Sequence, residues 1–447
     1  MTSHHFFPSR VFKHAALAAV MLGTVPVIAT PPAFAQVSAA PADAGVARFY
    51  ASRQNAPLWL RGGSNEAATQ LVSILRNADL DGLASGPQLA LQAEAAILAA
   101  QSGDKAQILA ADRLLSTAWV LYAQKVGSPT EGMIYGYLPA RVPNPDRILF
   151  EAANAPSLPQ HLLSVASVNP IYTQLRAAAL SRAAGTPVDS RLLANMDRAR
   201  SIPATGRFVL VDAANARLWM YENGKPVDSM KVVVGKTDSP TPMIASMIHY
   251  ATLNPYWNVP NNLILKTVAP GAVKGGQKYL DPRGYQVMSD WTANATVVPA
   301  DQVDWKAVAA GTKTIRVRQL PGPTNSMGKM KFSFPNKTDI FLHDTPQKEY
   351  FAKSQRTLSN GCIRLEDAKR LGRWLLGRDP VAAGSDAEQF VKLPQGVPVY
   401  VTYLTAVPNA GKIDFANDVY GWDKTARIAS RGSTSGADGA TPAQAAQ

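Results

Sequence analysis

The sequence predicts an α+β protein in which a helical first half precedes a mainly antiparallel β second half. Between residues 49 and 200, apolar positions recur at the spacing of amphipathic helices. From Arg207 onward, apolar and polar residues alternate in short runs that are separated by turn residues. Closely spaced strands of this kind favour antiparallel pairing. The change of pattern falls at Ile202-Pro203, and this predicts a helical domain over 49–200 and a β-rich domain over 206–405.

The helical half contains four segments with a clear period. One covers residues 71–78, and Asp104 is placed to cap a longer helix that follows it. Two more fit at 171–184 and 191–200. Residues 138–159 are rich in Pro and Asn, so they predict an irregular connection.

The β-rich half begins with a meander. Asn223-Gly224 lies between two alternating apolar runs, which is a strong signal for a β-hairpin. The predicted strands cover residues 208–212, 218–221, 230–235, 247–253, 313–318, 339–343 and 397–404.

Both ends of the chain predict segments outside the folded domains. Arg10 and Lys13 precede a short apolar run, and Ala33-Phe34-Ala35 fits a signal-peptidase site. Residues 1–35 are therefore predicted to be a signal peptide, followed by a flexible start over 36–48. No later apolar stretch is long enough for a transmembrane segment. Residues 421–447 have the composition of a disordered tail.

The net charge and the histidine content limit the partners and the kinds of site that the protein is expected to have. The formal net charge is +13, and it is about +11 without the two basic residues of the signal peptide. A basic exported protein suits a polyanionic surface such as a bacterial wall. Export and the lack of a basic cluster argue against nucleic acid as a partner. After cleavage the remaining histidines are His161, His249 and His343, whose spacing with a single cysteine fits no metal site.

That single cysteine is the strongest indication of chemistry. Cys362 cannot form an intramolecular disulfide, and it follows His343 by nineteen residues. A thiol beside a glycine, with a histidine upstream, has the components of a nucleophile and its general base. Gly361 permits a tight turn in which the amides of Gly361 and Cys362 form an oxyanion hole. Glu366 and Asp367 predict a helix start just after Cys362, a position that favours the thiolate.

The alternative to catalysis is a purely structural role for Cys362 and for the histidines. A lone cysteine is often a small buried hydrophobic residue, and a lone histidine is more often structural than catalytic. His249 lies in a predicted strand and His161 in a predicted helix, so both are interpreted as structural.

The motifs around these residues resemble the L,D-transpeptidase (YkuD-type) catalytic domain. The resemblance rests on His343-Asp344-Thr345-Pro346 followed by Ser359-Asn360-Gly361-Cys362-Ile363-Arg364. Three further segments narrow it to the periplasmic YcbB-like branch, namely 254–260, 320–323 and 334–337. Asn360 departs from the histidine that many members carry at that position, and Arg364 departs from an asparagine.

The resemblance implies a role for each site residue. Cys362 would be the nucleophile and His343 the general base, with the carbonyl of Asp344 orienting the imidazole. Residues 262–330 would form a capping subdomain over the cleft. Substrate contacts are expected from Ser359, Asn360, Arg364, Tyr256 and Trp257. For the last two, a role in anchoring the base of the cap is an equal alternative.

The resemblance also implies a reaction and its partners. Cys362 would form a thioester with the diaminopimelate of a peptidoglycan stem peptide, release D-alanine and transfer the acyl group to a second stem as a 3-3 cross-link. No metal, nucleotide or organic cofactor is needed, and carbapenems would acylate the thiol. Two alternatives remain, an L,D-carboxypeptidase that hydrolyses the same acyl-enzyme and a non-catalytic wall-binding protein.

One module of that branch is expected to be missing. The YcbB-like branch usually inserts a peptidoglycan-binding repeat before the catalytic domain, whereas residues 175–185 here run almost directly into 191–196. Docking to the wall would then depend on the helical domain, the cap or the net charge. The sequence leaves the choice open.

Overall fold

The computed structural model describes residues 40–61, 64–137, 142–182 and 186–423. The predicted signal peptide and most of the predicted tail lie outside these ranges. Among the described residues, no helix is both long and apolar enough to cross a membrane.

The first half is helical, as predicted. Its helices are α1 (Ala40–Ser52), α2 (Glu66–Leu75), α3 (Gly86–Ala100), α4 (Lys105–Val126), α5 (Pro145–Asn154), α6 (Leu158–Ser167), α7 (Pro170–Leu180) and α8 (Ser190–Ala199). Asp104 caps α4, because its side chain accepts a hydrogen bond from the amide of Gln107 at 2.9 Å. Trp119 and Tyr122 of α4 are fully buried in the core that these helices share.

Buried carboxylates hold the helical region together. Asp112 accepts hydrogen bonds from the consecutive amides of residues 58–60 and from the hydroxyl of Tyr50. Asp81 accepts two from the guanidinium of Arg176, at 2.7 and 2.9 Å, and others from Tyr122 and Tyr172. Each buried charge therefore has the partners that offset its loss of hydration.

Two segments predicted to be irregular are helical. Helix α1 covers most of the predicted flexible start, because Ala42, Val46, Phe49 and Tyr50 recur at helical spacing and are buried. Helix α5 lies within the predicted connection 138–159. Its Pro and Asn residues are helix-start signals, since Asn144 caps the helix and Pro145 occupies the first turn.

The second half is built on a large sheet. Its strands are β2 (Phe208–Asp212), β3 (Arg217–Glu222), β4 (Lys225–Gly235), β5 (Ile244–Leu253), β10 (Met330–Ser333), β11 (Phe341–His343), β12 (Thr357–Ser359), β13 (Ile363–Leu365) and β14 (Gln389–Thr402). Neighbours pair in the order β5-β10-β11-β13-β4-β3-β2-β14, and β14 pairs back with β5, so eight strands close into a ring. Most of these pairs are antiparallel, which confirms the predicted fold class. Helix α13 (Ala368–Leu376) packs on this core.

The predicted hairpin at Asn223-Gly224 is present between β3 and β4. Glu222 pairs with Lys225, and both turn residues have positive φ, 51° and 75°. Two central residues with positive φ define the turn type that Asn-Gly favours.

The helical half also contributes a strand to this sheet. Strand β1 (Ile134–Tyr135) runs parallel to the start of β5. A Cβ on the next residue, Gly136, would lie 1.7 Å from the carbonyl oxygen of Pro335, so only glycine fits there. The two halves are therefore joined by backbone pairing as well as by side-chain packing.

A separate subdomain stands between β5 and β10 in the sequence. It contains a four-stranded sheet of β6 (Trp257–Asn258), β9 (Arg316–Gln319), β7 (Tyr285–Met288) and β8 (Val297–Val298). Its helices are α9 (Asn261–Leu263), a π-helical turn (Ile264–Val268), α10 (Ala269–Gly275), α11 (Gln277–Leu280) and α12 (Trp305–Ala309). It has its own apolar core. It overlaps residues 262–330, for which a cap is expected, and is called the cap below; its sheet begins at Trp257 rather than at residue 262.

The chain continues to pack after β14. A hairpin of β15 (Ala406–Asn409) and β16 (Lys412–Phe415) follows, and the next residues return to the sheet. Asp423, which the prediction assigned to the tail, forms a 2.7 Å ion pair with Arg198 of α8, and both side chains are more than 90% buried. The ordered part of the chain therefore extends beyond residue 405.

Candidate active site

Strand pairing brings the predicted nucleophile and base onto one face of the sheet. Strands β11 and β13 are parallel neighbours in which His343 lies opposite Arg364. Leu342 and Ile363 are fully buried in the core, so His343 and Arg364 point to the other face. Cys362 precedes Arg364 by two residues and therefore shares that face.

The backbone orients the imidazole of His343. Its Nδ1 lies 2.6 Å from the carbonyl oxygen of Asp344. A carbonyl oxygen can only accept, so Nδ1 carries the proton and Nε2 of the neutral ring is left to accept one. The sequence-based hypothesis for Asp344 proposed this same contact.

His343 is held in its neutral form. The residue is 2% exposed, and burial lowers its pKa to about 4. The positive charges of Arg364 and Lys331 act in the same direction, whereas the contact with Asp344 opposes them. A neutral imidazole with a free Nε2 can accept a proton from a thiol.

The loop before Cys362 has a backbone conformation that requires glycine. Gly361 has a φ of +113°, and a Cβ there would lie 3.0 Å from Cδ1 of Ile340. The hydroxyl of Thr241 donates a 2.6 Å hydrogen bond to the carbonyl oxygen of Gly361. The amide of Lys236 donates to the carbonyl of Ser359 at 3.0 Å. The loop is thus held by the segment that follows β4.

The environment of Cys362 differs from the prediction. The residue after it begins strand β13, whereas helix α13 begins six residues later with Asp367 as its cap. The helix start predicted directly after Cys362 is therefore displaced by this strand. Burial is the largest influence and raises the pKa of Cys362, although a backbone hydrogen bond from Phe341 and the charge of Arg364 partly oppose it. The half-buried thiol therefore rests in its protonated form, with Sγ 3.7 Å from the carbonyl oxygen of Asp339.

The predicted oxyanion hole is also only partly available. The amide of Gly361 donates to the hydroxyl of Ser359 at 3.1 Å, and this hydroxyl donates in turn to the carbonyl of Cys362 at 2.6 Å. The side chain of Ser359 thus closes the turn, and the amide of Gly361 is not free for an oxyanion.

Nucleophile and base line a cavity of about 380 Å³ between the sheet and the cap. Its wall includes the predicted residues Ser359, Asn360, Arg364 and Trp257. The cap contributes a mostly apolar surface that comprises Val259, Pro260, Leu263, Thr267, Val268, Tyr285, Ser326 and Met327.

Two of the residues expected to contact the substrate, Tyr256 and Arg364, have defined partners within the protein. Tyr256 is not among the described residues that line the cavity. Its ring packs against the guanidinium of Arg318, whose Cζ lies 4.4 Å from the ring centre. Tyr256 therefore fits the alternative role in the cap. Arg364 donates to Oε1 of Gln347 and lies 5.5 Å from the ring centre of Tyr350, so its position in the cavity is fixed from two sides.

Asp344 connects the base to the cap. Its carboxylate accepts hydrogen bonds from the amide of Lys329 at 2.9 Å and from Nζ of Lys348 at 2.8 Å. Gly328 approaches so closely that a Cβ would lie 2.4 Å from this carboxylate. The chain returning from the cap is therefore attached to the residue whose carbonyl orients His343.

The other two histidines lie elsewhere. His249 contacts the ring of Tyr137, with ring centres 5.2 Å apart, and His161 contacts Trp119 at 5.9 Å. Among the described residues, no three His, Cys, Asp or Glu side chains gather in a way that could hold a metal ion.

Sequence reasoning missed Gln347 and Thr241. Gln347 could have been suspected, since it directly follows the histidine motif. Thr241 carries no local signal, because it reaches Gly361 only through the fold.

Two segments of the chain match known protein families. Residues 206–399 match the family of L,D-transpeptidase catalytic domains (YkuD), and residues 44–178 match a family described as a scaffold domain. A Haemophilus influenzae protein named "Putative L,D-transpeptidase" is 28% identical over 398 residues, which span 86% of this chain and 79% of that protein.

Two solved structures are also similar. One is titled "Structure of the Ldtfm-avibactam carbamoyl enzyme" (14% identity, TM-score 0.22), and the alignment covers 44% of this chain and 48% of that one. The other, an L,D-transpeptidase from Mycobacterium smegmatis, is 13% identical with a TM-score of 0.22, over 44% and 59% of the two chains. These likenesses are too slight to support an argument, and the assignment rests on the two family matches. The chain therefore carries an L,D-transpeptidase catalytic domain at residues 206–399, preceded by a scaffold domain at residues 44–178.

Proposed function

We propose that this protein is a periplasmic L,D-transpeptidase that joins peptidoglycan stem peptides through 3-3 cross-links between diaminopimelate residues. One observation carries the proposal: the neutral, backbone-oriented imidazole of His343 shares a sheet face and a cavity with the thiol of Cys362. The family of residues 206–399 supports the same chemistry.

The first step is attack on the donor stem. Cys362 and His343 both rest in their neutral forms, since burial raises the pKa of the thiol and lowers that of the imidazole. As Sγ bonds to the carbonyl carbon at the L-centre of diaminopimelate, the thiol proton passes to Nε2 of His343. The amide of Cys362 donates to the oxyanion, because the amide of Gly361 is engaged by Ser359.

The second step releases D-alanine. The tetrahedral intermediate collapses, the bond to D-alanine breaks, and the imidazolium of His343 gives its proton to the departing amine. A thioester on Cys362 remains. The side-chain amine of diaminopimelate on an acceptor stem then attacks the thioester, loses a proton to His343 and regenerates the thiol.

The cavity suits a substrate that is both peptidic and anionic. Arg364 presents a guanidinium beside the reacting groups, and a carboxylate of the stem would pair with it. Asn360 is exposed at the rim, and Trp257 adds an aromatic wall on the cap side. Most of the cap residues that line the cavity are apolar, and a wall of this kind disfavours water as the acceptor and so favours transfer to an amine over hydrolysis.

Muropeptide analysis tests the proposal. Purified protein is incubated with disaccharide-tetrapeptide, and the products are separated and weighed by mass spectrometry. A 3-3 dimer and free D-alanine are expected, and Cys362→Ala should form neither. His249→Ala is the matched control, because this histidine lies outside the cavity and should leave the products unchanged.

Other outcomes have distinct meanings. Tripeptide without dimer would indicate an L,D-carboxypeptidase, in which water resolves the same thioester. A protein that forms no product and no covalent adduct, yet binds isolated wall, would be a non-catalytic wall-binding protein. Dimer formation by Cys362→Ala would refute the nucleophile.

Export and inhibition follow from the same proposal. Cleavage after Ala35 would deliver the protein to the periplasm, and N-terminal sequencing of the mature protein tests this. A carbapenem should add its full mass once to the wild type and not to Cys362→Ala.

A further inference from the structure

We propose that Tyr420, which lies beyond the residues that match the catalytic-domain family, is a positioning residue for the nucleophile loop. The matched region ends at residue 399. The segment that contains Tyr420 returns to the sheet. There it hydrogen-bonds to the turn between β4 and β5, and this turn also holds Gly361.

The hydroxyl of Tyr420 makes two backbone contacts. It donates a 2.6 Å hydrogen bond to the carbonyl oxygen of Gly235, at the end of β4. It also accepts one from the amide of Thr241 at 3.4 Å. One phenol thus bridges both ends of the turn between β4 and β5.

This turn is in direct contact with the loop of the nucleophile. The fully buried hydroxyl of Thr241 accepts a hydrogen bond from the amide of Gly235 at 2.8 Å and donates to the carbonyl of Gly361 at 2.6 Å. Displacement of the turn would therefore move the peptide bond that joins Gly361 to Cys362. Misplacement of a reacting group by about 1 Å can cost about a hundredfold in rate.

The ring of Tyr420 is held by an aromatic cluster. It stacks on Tyr403 with ring centres 5.0 Å apart and contacts Trp422 at 4.9 Å. The amide of Tyr420 donates to the hydroxyl of Tyr403 at 3.0 Å. Because the ring is packed on these partners, loss of its hydroxyl alone should leave it in place.

The cluster is tied to the last helix of the first half. Asp423 pairs with Arg198 of α8 and accepts hydrogen bonds from the hydroxyl of Thr405 at 3.0 and 2.9 Å. Arg198 also donates to the carbonyl of Tyr403 at 3.1 Å. A continuous set of buried contacts therefore links α8 to Tyr420 and, through Thr241, to the nucleophile loop.

The test compares Tyr420→Phe with Tyr400→Phe in the full-length protein. Each variant loses one phenol hydroxyl, but Tyr400 lies on β14 with its ring against Phe208. Two readouts are used. The first is the rate of alkylation of Cys362 by iodoacetamide across pH, without substrate. The second is the kcat and KM for cross-linking of disaccharide-tetrapeptide.

For Tyr420→Phe we expect kcat to fall about tenfold while KM stays within about twofold, because the loop is misplaced and the substrate contacts remain. The pH profile of alkylation should shift as well. Tyr400→Phe should match the wild type in both. Unchanged kcat and an unchanged alkylation profile in Tyr420→Phe would overturn the proposal.

A second pair of variants tests the connecting residue. Thr241→Val keeps the shape but removes the hydroxyl that donates to Gly361, so it should reproduce the loss of kcat. Thr241→Ser retains a hydroxyl and should restore most of it. Equal activity of the two variants would refute the connection even if one of them is less stable.

The kcat measurement rests on the proposed function, whereas alkylation does not. If the wild type makes no product but Tyr420→Phe alters the alkylation profile, the proposed function fails and the positioning role stands. If the wild type is active and Tyr420→Phe behaves like it in both assays, only the positioning role fails.

Discussion

The lowered pKa of His343 predicts activity that persists into mildly acidic solution. At pH 5.5 an imidazole with a pKa of about 4 is about 97% neutral, whereas one with an ordinary pKa of about 6.5 is about 9% neutral. Acylation requires that the imidazole of His343 is neutral and that the thiol of Cys362 carries its proton. The acylation rate should therefore stay nearly constant between pH 7.5 and pH 5.5, instead of falling about tenfold.

Substitutions of Arg364 can separate the two main causes of the lowered pKa of His343, which are burial and the charge of the guanidinium. Burial is the largest influence on His343, and the charge of Arg364 is the next. Arg364→Gln should move the acid midpoint up from about 4, but not as far as about 6.5, because the burial remains. Arg364→Lys keeps a positive charge and should keep the midpoint near that of the wild type, even if substrate affinity falls.

The assay is single-turnover formation of the Cys362 thioester, followed by mass spectrometry from pH 3.5 to 8. Midpoints are compared rather than absolute rates, since Arg364 also faces the substrate. An acid midpoint near 6.5 in the wild type would refute the reasoning. Equal midpoints in the wild type and Arg364→Gln would refute the electrostatic role of the guanidinium.

Three further predictions concern the loop, the C-terminal segment and stability. Gly361→Ala should lower acylation about a hundredfold in kinetic assays, because its φ of +113° strains any other residue, whereas Gly206→Ala, at φ +95° with open space around it, should leave acylation unchanged. Asp423→Asn should lower the free energy of unfolding by about 3–5 kcal/mol in urea titrations, since it leaves Arg198 buried without its charge partner, and a loss below about 1 kcal/mol would contradict this. The pKa of His343 is lowered in the folded state, so its contribution to stability is present above pH 6.5 and is lost as the pH falls through about 4. Between pH 6.5 and pH 4 the wild type should therefore lose about 3 kcal/mol more of its free energy of unfolding than His343→Gln. Parallel curves of stability against pH for the two proteins would exclude the effect.

Local patterns were sufficient for several elements. Asn223-Gly224 predicted its hairpin because two adjacent residues with positive φ are strongly favoured by that pair. Asp104 predicted the start of α4 because capping depends on neighbours three residues away. Both features are governed by contacts within a few residues of the chain.

Other local patterns were misread. The Pro and Asn residues of 138–159 were interpreted as a loop, although Asn144-Pro145 is a helix start. Cys362 was placed before a helix because Glu366 and Asp367 favour one, yet a strand of three residues intervenes. Such a short strand has no periodicity of its own, since it is stabilised by its neighbours β11 and β4.

The sequence by itself determined the helical and β-rich halves and the pair of His343 and Cys362, because spacing along the chain and the chemistry of single residues are visible in it. Only the tertiary structure decided the pKa of His343 and the position of the loop that carries Cys362. The burial that makes His343 neutral depends on residues that come together only when the sheet closes. The same holds for the contact of Thr241 with Gly361 and for the contact of Tyr420 with the turn between β4 and β5. A pKa and the position of a loop depend on such surroundings, and these are set by packing across the whole domain.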